Sequence, residues 1–146
     1  MFIGQNTGVG DERRARRGLR TGFVLMVPLS LALSAALYVP ALPAVVWLSG
    51  DSGAVAAEGA AYLQTVAVFY ILNYIGSVFV GWFRGRGQVN VPTAGTALHI
   101  TLRVVLSYLL IGTMGLRAVA LATGLGWALV VSFQTVVFRV TQRRKA

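Results

Sequence analysis

The chain has no cysteine, a single histidine and only four acidic residues among 146. Without cysteine there can be no disulfide framework, thiol nucleophile or thiolate metal site. With one histidine, and acids confined to Asp11, Glu12, Asp51 and Glu58, most metal and hydrolase constellations are excluded as well. No metal, no cofactor and no enzymatic activity is expected. Charge is scarce: 12% of residues carry one, against roughly 25% in an ordinary soluble domain. In its place the chain is 56% hydrophobic with a mean hydropathy of +0.71. The few polar residues fall in short clusters, and the apolar runs between them have only lipid as a fitting solvent.

Four such runs, about 21–48, 60–83, 91–111 and 116–138, each reach the roughly 20 residues a helix needs to cross a hydrocarbon core. The expected fold class is therefore an all-α, polytopic membrane bundle of four transmembrane helices. The first run contains Pro28, Pro40 and Pro43, which predicts a kink near Pro28 and an outer end near Pro40. ALPA at 41–44 resembles a signal-peptide cleavage site, but the apolar run before it is too long and is broken by proline.

The formal charge of +9 is unevenly placed. Arg13, Arg14, Arg16, Arg17 and Arg20 precede the first run, Arg84 and Arg86 lie between the second and third, and Arg139, Arg143, Arg144 and Lys145 follow the fourth. Eleven of the thirteen basic residues thus occupy alternate connections, while the segment SGDSGAVAAEG carries Asp51 and Glu58 and no base. By the positive-inside rule both termini are expected in the cytoplasm, with 1–20 a cytoplasmic loop or arm and 139–146 a basic cytoplasmic tail. The basic residues are then topogenic, the expected partner is membrane lipid, and no nucleic-acid partner is implied.

Small residues recur four apart in the last run, Ala118, Ala122 and Gly126 on one line and Ala120, Gly124 and Ala128 on another. Such lines allow close helix approach in lipid, or simply mark an Ala/Gly-rich span. In the third run Pro92, Thr96, His99, Arg103 and Ser107 share one helical face. Arg103 sits near mid-membrane, where a charge costs on the order of 3 kcal/mol by insertion scales. Because all four acids lie outside the runs, its partners must be carbonyls, water, lipid phosphate or another polypeptide segment. It is either a cavity or gating residue or a structural ligand of carbonyls. His99 is either a titratable group on a proton path or a neutral imidazole bonded between helices. In the second run Tyr70, Asn73, Ser77 and Gly81 share a face, and the Asn73 amide could contact a bound ion or substrate, or bridge helices. Tyr70, Asn73, Ser77, His99 and Arg103 are the candidate cavity residues. GVGDER, GRGQVN and GLGWAL contain Gly-x-Gly without a third glycine or a preceding strand, so no phosphate loop is supported.

QNTGVGDERRARRGLR at 5–20, a proline-containing span, AAEGAAYLQTVAVFYILN leading to WFRGRGQVNVP, and an arginine in HITLR together resemble one half of a multidrug and toxic compound extrusion (MATE) transporter. In that family each six-helix half carries a Q-x-x-G-x-G-D-like loop, a YL-containing fourth helix and an RG-x-G-D-x-x-x-P-like loop. The resemblance covers nearly the whole chain and implies helices three to six of a half, the C-terminal one. Asn73 falls where some sodium-coupled members have an acidic cation-site residue, and Gln88 replaces the aspartate of the second loop. The implied function is part of a secondary active antiporter in the plasma membrane, exporting cationic or amphipathic drug-like compounds in exchange for H+ or Na+. The implied partner is the missing lobe or an oligomeric partner, and a chain beginning just before the first motif is not expected to be a complete pump. A self-contained four-helix small multidrug exporter acting as a dimer is the first alternative, although 21–48 lacks the membrane carboxylate that type uses. A non-transporting membrane subunit or a relative of lipid-linked saccharide flippases is the second.

Overall fold

A computed structural model describes residues 2–50 and 52–143. Among them every regular element is helical: α1 Phe2–Gly8, α2 Glu12–Tyr38, α3 Ala41–Ser49, α4 Ala54–Gly85, α5 Asn90–Met114 and α6 Leu116–Arg143. Four of these, α2, α4, α5 and α6, are long and apolar enough to cross a membrane. The fold is the all-α bundle with four candidate spans that the sequence predicts. Asp51, Arg144 and Lys145, which enter the charge argument, lie outside the described residues.

The helix boundaries differ from the expected spans at both ends of the chain. The run 21–48 is two helices: α2 stops at Tyr38 and α3 begins after Pro40, which stands at its N-cap. Pro43 is the third residue of α3, where the N–H that proline lacks would have no intrahelical acceptor. Pro28, by contrast, stays inside α2. The segment 1–20 is mostly helical, and α6 runs into the expected tail as far as Arg143.

The two glycine-containing loops are helix stops of the same design. Gly10 has φ +76°, and the Asp11 and Gly10 N–H groups donate back to the Asn6 and Thr7 carbonyls at 2.8 and 3.1 Å. Gly87 has φ +73°, with Gln88 and Gly87 N–H donating to the Phe83 and Arg84 carbonyls at 2.9 and 3.1 Å. This paired pattern satisfies the orphan carbonyls of a helix end and needs a left-handed residue, hence glycine. Asp11 then caps α2 by accepting from the Arg14 N–H at 2.9 Å.

The loops are also joined to each other. Arg86 donates to both Glu12 oxygens, at 2.7 and 2.5 Å, with its side chain only 4% exposed and its guanidinium 4.7 Å from the Trp82 ring centre. The hydrogen bonds to Glu12, with its charge, hold the guanidinium above its ordinary value against the opposing effect of burial. Arg16 bonds Gln142. The three basic segments therefore meet at one end of the bundle, over an aromatic core of Phe79, Trp82 and Phe83 with Ala15 and Leu19. Glu58 lies at the other end, close to Gly115.

Across the bundle the order is α2, α4, α6, α5: α4 packs on α2 and α6, whereas α5 packs chiefly on α6 and touches α4 lightly. The two small-residue lines of α6 serve its two neighbours. A methyl on Gly124 would overlap the Phe69 ring of α4, and one on Gly126 would overlap the His99 ring of α5. Ala118, Ala120 and Ala122 are fully buried. Removing Cβ atoms lets backbones approach and gain dispersion contacts, the main attraction left between helices in lipid.

Candidate functional site

Where α5 leaves α4, the gap between α4, α5 and α6 forms a cavity of about 180 Å³. From α4 it is lined by Asn73, Gly76 and Ser77, from α5 by Pro92, Gly95, Thr96 and His99, and from α6 by Trp127 and Gln134 among others. No charged side chain is among the lining residues. At roughly 30 Å³ per molecule the space equals about six waters.

Two of its polar groups lack partners. Gln134 is 0% exposed, and neither its Oε1 nor its Nε2 has a hydrogen-bond partner among the described residues. Its amide fits between two glycines: a Cβ on Gly76 would lie 3.7 Å from Oε1 and one on Gly95 would lie 3.7 Å from Nε2. His99 bonds the Thr123 backbone, while its Nε2 is buried and unpartnered. The His99 and Trp127 rings are parallel within 3°, with centres 6.2 Å apart. Other hydroxyls are satisfied locally: Ser77 donates to the Asn73 carbonyl at 2.9 Å and Thr96 to the Pro92 carbonyl at 3.0 Å. Each helical hydroxyl keeps a free lone pair that can accept from a guest.

Of the five sequence candidates, Asn73, Ser77 and His99 line this cavity and Tyr70 and Arg103 do not. Tyr70 stands behind the wall, its ring 5.8 Å from Trp127 and 6.3 Å from Tyr74. Arg103, one turn beyond the His99–Trp127 pair, lines a separate groove with Ser107 and Tyr108. Helical spacing assigns residues to a face, but the extent of a cavity along that face is set by the opposing helix. Gln134 and Trp127 escaped the sequence reading. Continuing the line Ala118, Ala122, Gly126 by two further steps of four reaches Gln134, the one polar residue on it.

Compared with known proteins, the chain matches a family model described as MatE over residues 1–109. That stretch contains both glycine loops, α4 and most of α5. No curated protein and no solved structure matches the chain.

Proposed function

Since the chain belongs to the MatE family of membrane transporters, we propose that it forms part of a secondary active antiporter of the plasma membrane that exports cationic or amphipathic compounds in exchange for H+ or Na+. The observation that supports a transport role for this region is the cavity with its unpartnered Gln134 amide and His99 Nε2. A buried polar group left unpaired costs about 1–3 kcal/mol, and polar side chains inside a membrane bundle characteristically line solute or ion pathways.

The volume supports an ion over the exported compound as the occupant of the cavity. Pockets for drug-sized ligands span roughly 300–1,000 Å³, so about 180 Å³ suits an ion with its waters rather than the exported compound. We assign it the coupling step, with the drug carried on a larger surface. Na+ would find only the neutral oxygens of Asn73, Ser77, Thr96 and Gln134, whereas the His99 imidazole offers a proton acceptor. This favours H+ over Na+.

Everted membrane vesicles containing the transporter test the proposal with ethidium as the cationic dye. An imposed pH gradient is expected to drive dye movement, and His99→Gln to abolish that response while the protein remains in the membrane. Dye movement driven by a Na+ gradient and indifferent to His99→Gln would overturn the proton assignment. Failure of both gradients to move any cationic dye would overturn the export reading.

A further inference from the structure

Arg103 is the fourteenth of the 25 residues of α5, which at 1.5 Å per residue places it roughly 20 Å from one helix end and 16 Å from the other. Its side chain is on the outside of the bundle, in a groove of about 310 Å³ lined by Ile100, Val104, Ser107, Tyr108 and Val119. No described residue forms an ion pair with it or accepts a hydrogen bond from it. The Ser107 hydroxyl, one turn on, is likewise unpartnered. The flanking side chains Ile100, Val104 and Tyr108 are all exposed, Tyr108 by 82%.

We infer that the Arg103 face of α5 is the contact surface for a membrane-spanning helix from outside these 146 residues that carries an aspartate or glutamate at mid-span. Lipid and water fill the role poorly, since headgroup phosphates lie about 15 Å from the centre of a 30 Å hydrocarbon core, a snorkelling arginine recovers only part of that distance, and thinning the bilayer or drawing water to that depth still leaves the insertion cost of a mid-membrane charge. Backbone carbonyls of a neighbouring helix are engaged in their own ladder, and a neutral acceptor would leave the charge uncompensated in a medium of low dielectric. A second copy of this chain fails for a different reason. Asp11 and Glu12 lie at the start of α2 and Glu58 in the second turn of α4, at opposite ends of the bundle. No described acid of a second copy, parallel or antiparallel, reaches the depth of Arg103. The occupant must supply an acid near mid-span, where no described residue of this chain provides one. The groove is separate from the cavity of Asn73, Ser77 and His99, so the inference stands or falls independently of the coupling assignment.

The test uses the transporter in its native membrane with a photoreactive phenylalanine analogue in place of Val104, and the same analogue in place of Leu25 on α2 as a control. Irradiation is expected to join position 104 to a peptide that mass spectrometry identifies as a span with a mid-membrane aspartate or glutamate. Arg103→Glu sets two carboxylates against each other at the contact and is expected to lower the amount of protein in the membrane by roughly several-fold, as loss of stability does. Placing arginine at the identified acid should restore it, and Arg103→Lys should stay near the wild-type level. A cross-link only to lipid, to another copy of this chain or to a span without an acid would overturn the inference. So would no cross-link at all, or Arg103→Glu accumulating like the wild type.

Discussion

Gln134 places a carboxamide, a group that ordinarily makes several hydrogen bonds, between two glycines where it makes none. Replacing an unsatisfied polar group by an apolar one of similar shape is neutral or stabilising, so a purely structural Gln134 and a transporting one diverge on mutation. We expect Gln134→Leu to leave the thermal midpoint in detergent unchanged or raised, and to slow gradient-driven dye efflux by about tenfold, the effect of losing roughly 1.4 kcal/mol of a step-specific contact. Unchanged efflux would remove Gln134 from the mechanism. Gly126 makes a complementary case, because its missing Cβ is the space that the His99 imidazole fills. Gly126→Ala forces that ring aside and should destabilise the bundle by about 1–3 kcal/mol, the usual range for overpacking. Gly81→Ala, with nothing within 4 Å of the added methyl, should be neutral or stabilising by up to about 1 kcal/mol, since alanine is the better helix former. Thermal unfolding of the two variants side by side checks the contrast.

At the scale of elements, the glycines of RGRG divide their labour. Gly87 supplies a positive φ, so Gly87→Ala strains the end of α4 by about 1–2 kcal/mol. Gly85 is helical, and a methyl there would come within 2.9 Å of Ile3 Cγ2 and 3.1 Å of the Gly4 nitrogen, so Gly85→Ala displaces α1. Hydrogen exchange separates them: Gly85→Ala should accelerate exchange in Phe2–Gly8, and Gly87→Ala in the last turn of α4. Equal patterns would refute the division. The Arg86–Glu12 link ties α2 to the same turn. Because the folded guanidinium titrates above its ordinary value, its stabilisation is complete below the unfolded arginine value and fades only as the pH rises past both. Deprotonation of Arg86 therefore does not weaken this clasp at neutral or moderately alkaline pH, and the difference in melting temperature between wild type and Arg86→Ala should be flat from neutral to moderately alkaline pH. These particulars mark the limits of what the amino-acid order discloses. Runs of apolar residues revealed four spans because length and hydropathy are local properties. α3 was hidden because three prolines in one run are compatible either with a kinked span or with a stop at Pro40, and only packing of α3 on α4 distinguishes them. Asn73, Ser77 and His99 were readable as face residues from helical spacing. Gln134 was not, because its enclosure depends on Gly76 and Gly95 from two other helices.

For the molecule as a whole, the basic segments share one end and Glu58 the other, so a single orientation should govern every loop. The absence of cysteine makes this easy to measure, because any cysteine introduced is the only one in the chain. In intact cells Ser52→Cys should react with a membrane-impermeant maleimide, and Val89→Cys should react only after lysis, as the positive-inside rule requires. The reverse pattern would invert the orientation, and labelling of both in intact cells would break the four-span assignment. The spatial order α2, α4, α6, α5 has a further consequence for biogenesis. A ribosome releases α4, then α5, then α6, yet α5 finds its main neighbour only in α6. During synthesis α5 must therefore wait at the insertion machinery or in lipid until the next helix arrives. The His99–Trp127 wall and the Gln134 amide enter together with that last helix, so the cavity is the final feature of this region to come into existence, and a ribosome that stalls before α6 leaves a chain with its spans begun and no site.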